Sequence, residues 1–260
     1  MKDLEIQPEQ LQPLIETLHQ QLQVVLKNQF VGLYLHGSLA LSAFEEDRSD
    51  IDFLVVTKEI LDSGTLENLR EMHKTLFESD LYGAKILEGS YIPRKELWRY
   101  DAKHAIHPAL RCDGTFAIDG HGIDWVIQRY VLREKGIKVT GPEIKSLIAP
   151  VSSSDLMNAA YGILKNWWYP QLTDQSLLAA DEYQAYAVVT MCRSFYTIQF
   201  ADVVSKSDAA EWFVGAYPQW ESLVRKAETW RKGMEFNRLI ETLQLIRFTL
   251  ENAKELLGEM

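Results

Sequence analysis

Two aspartates one residue apart, Asp50 and Asp52, follow a Gly37-Ser38 pair in the stretch LHGSLALSAFEEDRSDIDFLVV, residues 35 to 56. Eleven residues separate Ser38 from Asp50, and an apolar run, Phe53, Leu54, Val55 and Val56, follows Asp52. That run predicts a buried strand, in which successive side chains alternate between faces, so Asp50 and Asp52 are expected to point the same way. Two carboxylates on one face repel, and a carboxylate entering a buried strand needs compensation. A divalent cation supplies it. Mg2+ takes carboxylate oxygens, keeps several waters and is commonly shared with substrate phosphates. The Gly37-Ser38 turn is expected to open a short helix, whose free N–H groups, dipole and Ser38 hydroxyl suit an anion. Phosphate chemistry beside metal chemistry implies a nucleoside triphosphate bound with Mg2+.

Such a pair must be held by strands that end at a common edge. FVGLYLHG reads as a strand ending at the Gly-Ser turn, SLALSAF as a short helix, EEDRS as a loop and DIDFLVVT as the next strand. Before them, residues 8 to 28 place Leu11, Leu14, Ile15, Leu18, Leu22, Val25 and Leu26 at helical spacing. TLENLREMHKTLFES reads as a helix, GAKILEGSYIP as a third strand, and DWVIQRYVLREKG as a helix closed by Gly136. IKVTGP is a short extended piece. After Pro150 the texture changes: SSSDLMNAAYGILKNWW, DEYQAYAVVTMCRSFYTIQFA, KSDAAEWFVGAY and NRLIETLQLIRFTLENAKELL all carry helical period, several behind Ser or Asp caps. Residues 1–150 are therefore expected to form a domain of strands and helices, and residues 151–260 an α-helical bundle, an α+β chain overall.

A formal net charge of −10 repels a phosphate backbone, so nucleic acid is not an expected partner, whereas a small cationic ligand suits such a surface. No apolar run approaches the roughly 20 residues that span a bilayer. The opening MKDLEIQPEQ is acidic where an export signal needs an apolar core. A cytoplasmic, monomeric protein is expected. Cys112 and Cys192 lie far apart with no CxxC partner and are read as buried or half-buried thiols.

The Gly-Ser and Asp-x-Asp pattern resembles the signature of the nucleotidyltransferase superfamily, whose core is a small mixed β-sheet. DIDFLVV, ILEGSYIP, GIKVTGP and the stretch MCRSFYTIQFADVVSKSDAAEWF further resemble the aminoglycoside adenylyltransferases that act on streptomycin and spectinomycin. The likeness runs from about residue 25 to 235 and is most specific in the last of these stretches. It implies an enzyme that transfers AMP from Mg-ATP to a hydroxyl of such an antibiotic and releases pyrophosphate. By the same resemblance Gly37, Ser38 and Ser49 serve the nucleotide, Asp50 and Asp52 hold Mg2+, and Glu88 is the base toward the acceptor hydroxyl. Arg193 and Lys206 grip the phosphates, and the site lies in the cleft between the domains. The alternatives are another acceptor, a protein side chain or a different small molecule, or a non-catalytic nucleotide-binding module.

The chain departs from that pattern in places. Ser42 stands where many relatives carry glycine. Tyr183 and Tyr186 occupy positions where a relative has Asp or His, leaving Asp181 and Glu182 as the nearby acids. His104 and His107 have no third ligand close by and are read as loop or surface residues. DGHGID is no dinucleotide fingerprint, and no GxxxxGK[ST] loop occurs. Trp167, Trp168 and Tyr169 are read as packing residues.

Overall fold

The computed structural model describes residues 6–258 and divides into two compact units, one up to Pro150 and one from Val151 onward. Residues 1–5, the start of the stretch read for an export signal, lie outside it.

The first unit is built on six strands: β1 (Phe30–Leu35), β2 (Ile51–Thr57), β3 (Leu87–Pro93), β4 (Ile106–Leu110), β5 (Phe116–Gly120) and β6 (Ile137–Thr140). They stand in the order β5-β4-β3-β2-β1-β6. Only β2 and β3 pair in parallel; the sheet is mixed. A parallel neighbour needs a crossover. α3 (Ser63–Phe77) supplies it, begun by Asp62, whose carboxylate accepts the Thr65 N–H at 2.8 Å. α1 (Gln12–Leu26) buries the stripe Leu14, Ile15, Leu18, Leu22 and Leu26. Together with α3 it covers the face that carries Leu33, Leu35, Phe53, Val55 and Tyr91. Each such side chain contributes about 1.5–3 kcal/mol on burial. The alternate residues Tyr34, Leu54, Val56 and Ile92 form a second core with Leu132 of α5 (Asp124–Lys135) and with Ile144, Leu147 and Ile148. α2 (Gly37–Ala40) and α4 (Arg94–Leu97) are single turns.

The hairpin β4–β5 corrects the reading of the stretch around His104 and His107. Pro108 disguises β4, yet it pairs with Ile118 in a regular register. The Asp113-Gly114 turn between the strands, with Gly114 at φ 83°, was the signal available. His107 is consequently buried, while His104 is exposed as expected. Gly136 ends α5 in an extended conformation, not the left-handed one a glycine cap suggests. A Cβ there would lie 2.3 Å from the Leu132 carbonyl oxygen, which is what demands glycine.

The second unit contains α6 (Ser153–Ile163), α7 (Asp181–Phe200), α8 (Lys206–Ala216), α9 (Glu221–Thr229) and α10 (Leu239–Leu256). α7 is its axis: α6, α8, α9 and α10 all pack against it, and it buries residues on most of its circumference. Ser152 and Ser205 cap α6 and α8 by accepting the N–H groups of Asp155 and Asp208. α9, only nine residues long, is a helix beyond the four expected. Of the aromatic trio, Trp168 is buried, but Trp167 and Tyr169 are exposed. Cys192 is buried on α7, whereas Cys112 is exposed, contrary to expectation.

Candidate active site

β1 and β2 meet at the Gly-Ser turn. The His36 N–H donates to the Asp52 carbonyl at 3.0 Å, which holds the end of β1 against the start of β2. Gly37 then turns at φ 59°. A Cβ at Gly37 would stand 1.8 Å from Asp52 Oδ2, so the glycine is needed both for its backbone and for the carboxylate lying over it. The Ser38 hydroxyl oxygen is buried and makes no hydrogen bond. The helix the turn opens is shorter than expected. It ends after Ala40, and Ser42 adopts φ 54°. A single turn has little macrodipole. Local N–H groups and the Ser38 hydroxyl are what this turn offers an anion.

The second carboxylate pair is set by sheet register. Asp52 of β2 is the direct partner of Glu88 of β3. Paired residues share a face, so two acids stand side by side at the end of the parallel pair. Glu88 is raised to about 7, chiefly by burial and then by the charges of Asp52, Asp50 and Asp119. On the hairpin beyond β3, Arg111 is engaged by Asp119: Arg111 Nε donates to Asp119 Oδ2 at 2.8 Å. The negative field extends to Cys112, whose thiol is pushed up by burial and by Glu88 and Asp50. Asp50 lies just ahead of β2 and is exposed. Ser49 precedes it, and its hydroxyl accepts the Glu45 N–H at 3.0 Å, closing the loop that delivers Asp50.

Among the described residues, no three His, Cys, Asp or Glu side chains form a ready cage for a metal ion. The acids fit Mg2+ nonetheless. That ion takes one or two carboxylates and completes its shell with water and phosphate oxygens. Glu88 is raised by burial and by the charges of Asp52 and Asp50, a field that a dication would relieve, and the Ser38 hydroxyl, buried without a hydrogen bond, belongs to the turn beneath Asp52.

A buried polar layer continues the same sheet face, and only His107 of it was considered from sequence. Ser90, two residues beyond Glu88, lies 3.1 Å from His121 Nε2. His121 stacks on Trp125 with centroids 3.8 Å apart and faces His107 at 4.8 Å. His36 meets the edge of Trp125. Burial lowers His36 and His107 to about 4 and His121 to about 3. All three are therefore neutral, and the layer adds no charge to the acids. The period-two spacing of Glu88 and Ser90 was the available sign that this face stays polar.

In the second unit, Arg193 of α7 is half-buried and makes no hydrogen bond or ion pair among the described residues. Lys206 is the first residue of α8, and its Nζ lies 5.6 Å from the Tyr186 ring centroid. Asp181, an acid that sequence left available, accepts the Asn237 N–H at 2.9 Å, and Glu182 is exposed. Tyr183 and Tyr186 are both partly exposed.

Residues 19–98 match the family described as Nucleotidyltransferase domain, and residues 146–254 match Aminoglycoside adenylyltransferase, C-terminal domain. The chain belongs to the aminoglycoside adenylyltransferase family. It is thus an enzyme of the nucleotidyltransferase class. A spectinomycin 9-adenylyltransferase of Staphylococcus aureus is 27% identical over 198 residues, 73% of this chain and 72% of the relative. One from Campylobacter jejuni is 23% identical over 205 residues, 76% of each. A spectinomycin adenyltransferase from Enterococcus faecialis, crystallised with ATP and spectinomycin, shares the fold. Its TM-score is 0.72 at 18% identity, covering 94% of this chain and 99% of that one.

Proposed function

We propose that this adenylyltransferase moves AMP from ATP to a hydroxyl of spectinomycin and releases pyrophosphate. The observation that carries the proposal is Glu88 held at about 7 beside Asp52. A carboxyl group so tuned is basic enough to accept a proton and is ionised in useful proportion near neutral pH. In this reading Glu88 takes the proton of the acceptor hydroxyl as its oxygen bonds to the α-phosphorus. The bond from that phosphorus to the oxygen bridging toward the β-phosphate breaks, and pyrophosphate departs. Asp50 and Asp52 would hold Mg2+, which when bound neutralises charge on the triphosphate and the leaving group. Gly37 lets the backbone approach the phosphates, Ser38 donates its hydroxyl to them, and Ser49 fixes the loop that presents Asp50. Arg193 and Lys206 supply positive charge to the phosphate chain.

The likeness to spectinomycin 9-adenylyltransferases supports spectinomycin, and the net charge of −10 supports a cationic acceptor over nucleic acid. The enzyme is read as a cytoplasmic monomer; no helix of the described residues is long and apolar enough to cross a membrane. One observation favours a second reading, in which the acceptor is streptomycin or another molecule: Asp181 is engaged with Asn237, and tyrosines occupy the positions beside it. Pyrophosphate release by the purified protein with Mg-ATP, tested against spectinomycin and streptomycin separately, decides. Release with spectinomycin that disappears in Asp52→Asn and Glu88→Gln is expected. No release with spectinomycin would overturn the proposed acceptor.

A further inference from the structure

Register carries the face of Glu88 across the β4–β5 hairpin. Glu88 and Ser90 lie two apart on β3, and Ser90 is the partner of Ala109 on β4. Two residues before Ala109, His107 is the partner of Asp119 on β5. Residues paired across strands, or two apart along one, share a face. Glu88, Ser90, Ala109, His107 and Asp119 therefore stand on one side of the sheet, and the charge of Asp119 is felt at Glu88. Arg111 directly follows β4, and its N–H extends the ladder to the Thr115 carbonyl at 2.9 Å. Its guanidinium grips both oxygens of Asp119, through Nε at 2.8 Å and through Nη2. The pair is open to solvent: the side chain of Asp119 is 26% exposed and that of Arg111 52%. Such an ion pair contributes little to stability. A bidentate arginine uses one lone pair on each carboxylate oxygen and leaves the others to a further donor.

We propose that Asp119 binds an ammonium group of the acceptor and so sets an adjoining hydroxyl against Glu88. The inference rests on the reading of Glu88 as the base toward a cationic acceptor, and it names the carboxylate that recognises the cation. Beyond Glu88 on this face, Ser90, Ala109 and the neutral His107 offer no charge, so Asp119 is what a cation meets there. Hydrogen bonds from Arg111 hold Asp119 below the usual carboxylate range, so it is ionised before the acceptor arrives. The positive charge of Arg111 in turn tempers the attraction. Two acids set apart along one face suit a small molecule that carries a cation and a hydroxyl side by side.

The test uses the full chain. Spectinomycin affinity, by titration calorimetry with magnesium and a non-hydrolysable ATP analogue, and KM for spectinomycin and for ATP separately, are measured for Asp119→Asn, Arg111→Gln and the double variant. Asp119→Asn should weaken spectinomycin by about tenfold or more, the scale of a charge-assisted hydrogen bond, with KM for ATP unchanged. Arg111→Gln breaks the same ion pair, yet it should leave spectinomycin affinity unchanged or tighten it, because a competing cation is gone. An ion pair that only braces the hairpin would move both variants the same way, and that result would overturn the inference. In the Arg111→Gln background, Asp119→Asn should again weaken spectinomycin by about tenfold. No loss there would mean that the released arginine repels the acceptor, and would overturn it too. If the parent transfers AMP to no cationic acceptor, the acceptor reading falls and this one with it. If the parent uses spectinomycin and Asp119→Asn binds it equally well, only the role of Asp119 falls. Asp119→Ser provides the same measurement should the asparagine variant not fold.

Discussion

Asp52 and Glu88 are register partners across the single parallel strand pair of the sheet, so two carboxylates share one face, while Arg111 of the neighbouring hairpin is engaged by Asp119. The arrangement stores electrostatic free energy that a bound cation or a proton on Glu88 relieves. The raised value of Glu88 expresses that tension.

Replacing Glu88 by glutamine should therefore separate stability from activity. Glu88 moves from its ordinary 4.5 to about 7 on folding. A raised carboxyl leaves stability intact below the unfolded value and erodes it as pH climbs through the folded one. At pH 8 the ionised group destabilises the ligand-free protein by about 3 kcal/mol, from 1.36 kcal/mol per pH unit of displacement. Glu88→Gln should raise the urea midpoint at pH 8, leave it nearly unchanged at pH 4.5, and abolish AMP transfer. A variant no more stable than the parent at pH 8 would contradict the repulsion.

The opposite limb belongs to the buried histidines. His36, His107 and His121, lowered mainly by burial, must take up protons on unfolding below pH 6.5. A depressed histidine leaves stability complete above 6.5 and lost as pH falls toward its folded value near 3 to 4. The two limbs overlap: between about pH 4.5 and 6.5 the three histidines outweigh the single glutamate, and above 6.5 only the Glu88 limb remains, so the ligand-free protein should be most stable near pH 6.5. His121→Phe keeps a ring on Trp125 and removes one proton site. Its urea midpoint should fall less steeply between pH 6.5 and 4.5, although the Ser90 hydrogen bond is lost at pH 7.

Gly37→Ala tests the close approach at the turn. The added methyl carbon would fall 1.8 Å from Asp52 Oδ2 in a backbone of φ 59°. The left-handed conformation alone costs an alanine about 1–2 kcal/mol. The carboxylate must also move, so ATP-dependent transfer should drop by more than tenfold while the thermal midpoint falls modestly. Activity within twofold of the parent would show that Asp52 need not stand over the turn.

These tests also mark what sequence made legible. Asp50, Asp52, Gly37 and Ser38 announce themselves because their spacing lies within one strand-turn-strand segment, where local rules apply. The apolar run after Asp52 places β2, and the Ser caps and helical period after Pro150 place α6, α7, α8 and α10. The neighbourhood of Asp52 and Glu88 depends on register across a helix crossover, which no local pattern specifies. The β4–β5 hairpin stayed hidden because Pro108 breaks the strand pattern and Ile106 and Ile118 remain exposed. With it went the burial of His107 and the layer joining Ser90, His121 and Trp125. Arg193 and Lys206 were reached through family resemblance alone, since a single cation on a helix carries no local signal.

The Ser38 hydroxyl offers the sharpest contrast between fold and ligand. It is buried without a hydrogen-bond partner in a turn closed by the Ala43 N–H donating to the Ser38 carbonyl at 2.9 Å. An unsatisfied buried polar group costs roughly 1–3 kcal/mol. Deleting it in Ser38→Ala should leave the ligand-free protein as stable as the parent or more so, by up to about 1 kcal/mol. The same deletion removes a donor to a charged acceptor, a contact of about 1.5–3 kcal/mol, so ATP affinity should fall by about tenfold or more. Calorimetric titration with Mg-ATP and a urea melt of the ligand-free variant measure the two effects on one preparation. A loss of stability with unchanged ATP affinity would make the hydroxyl a structural group and remove it from the nucleotide site.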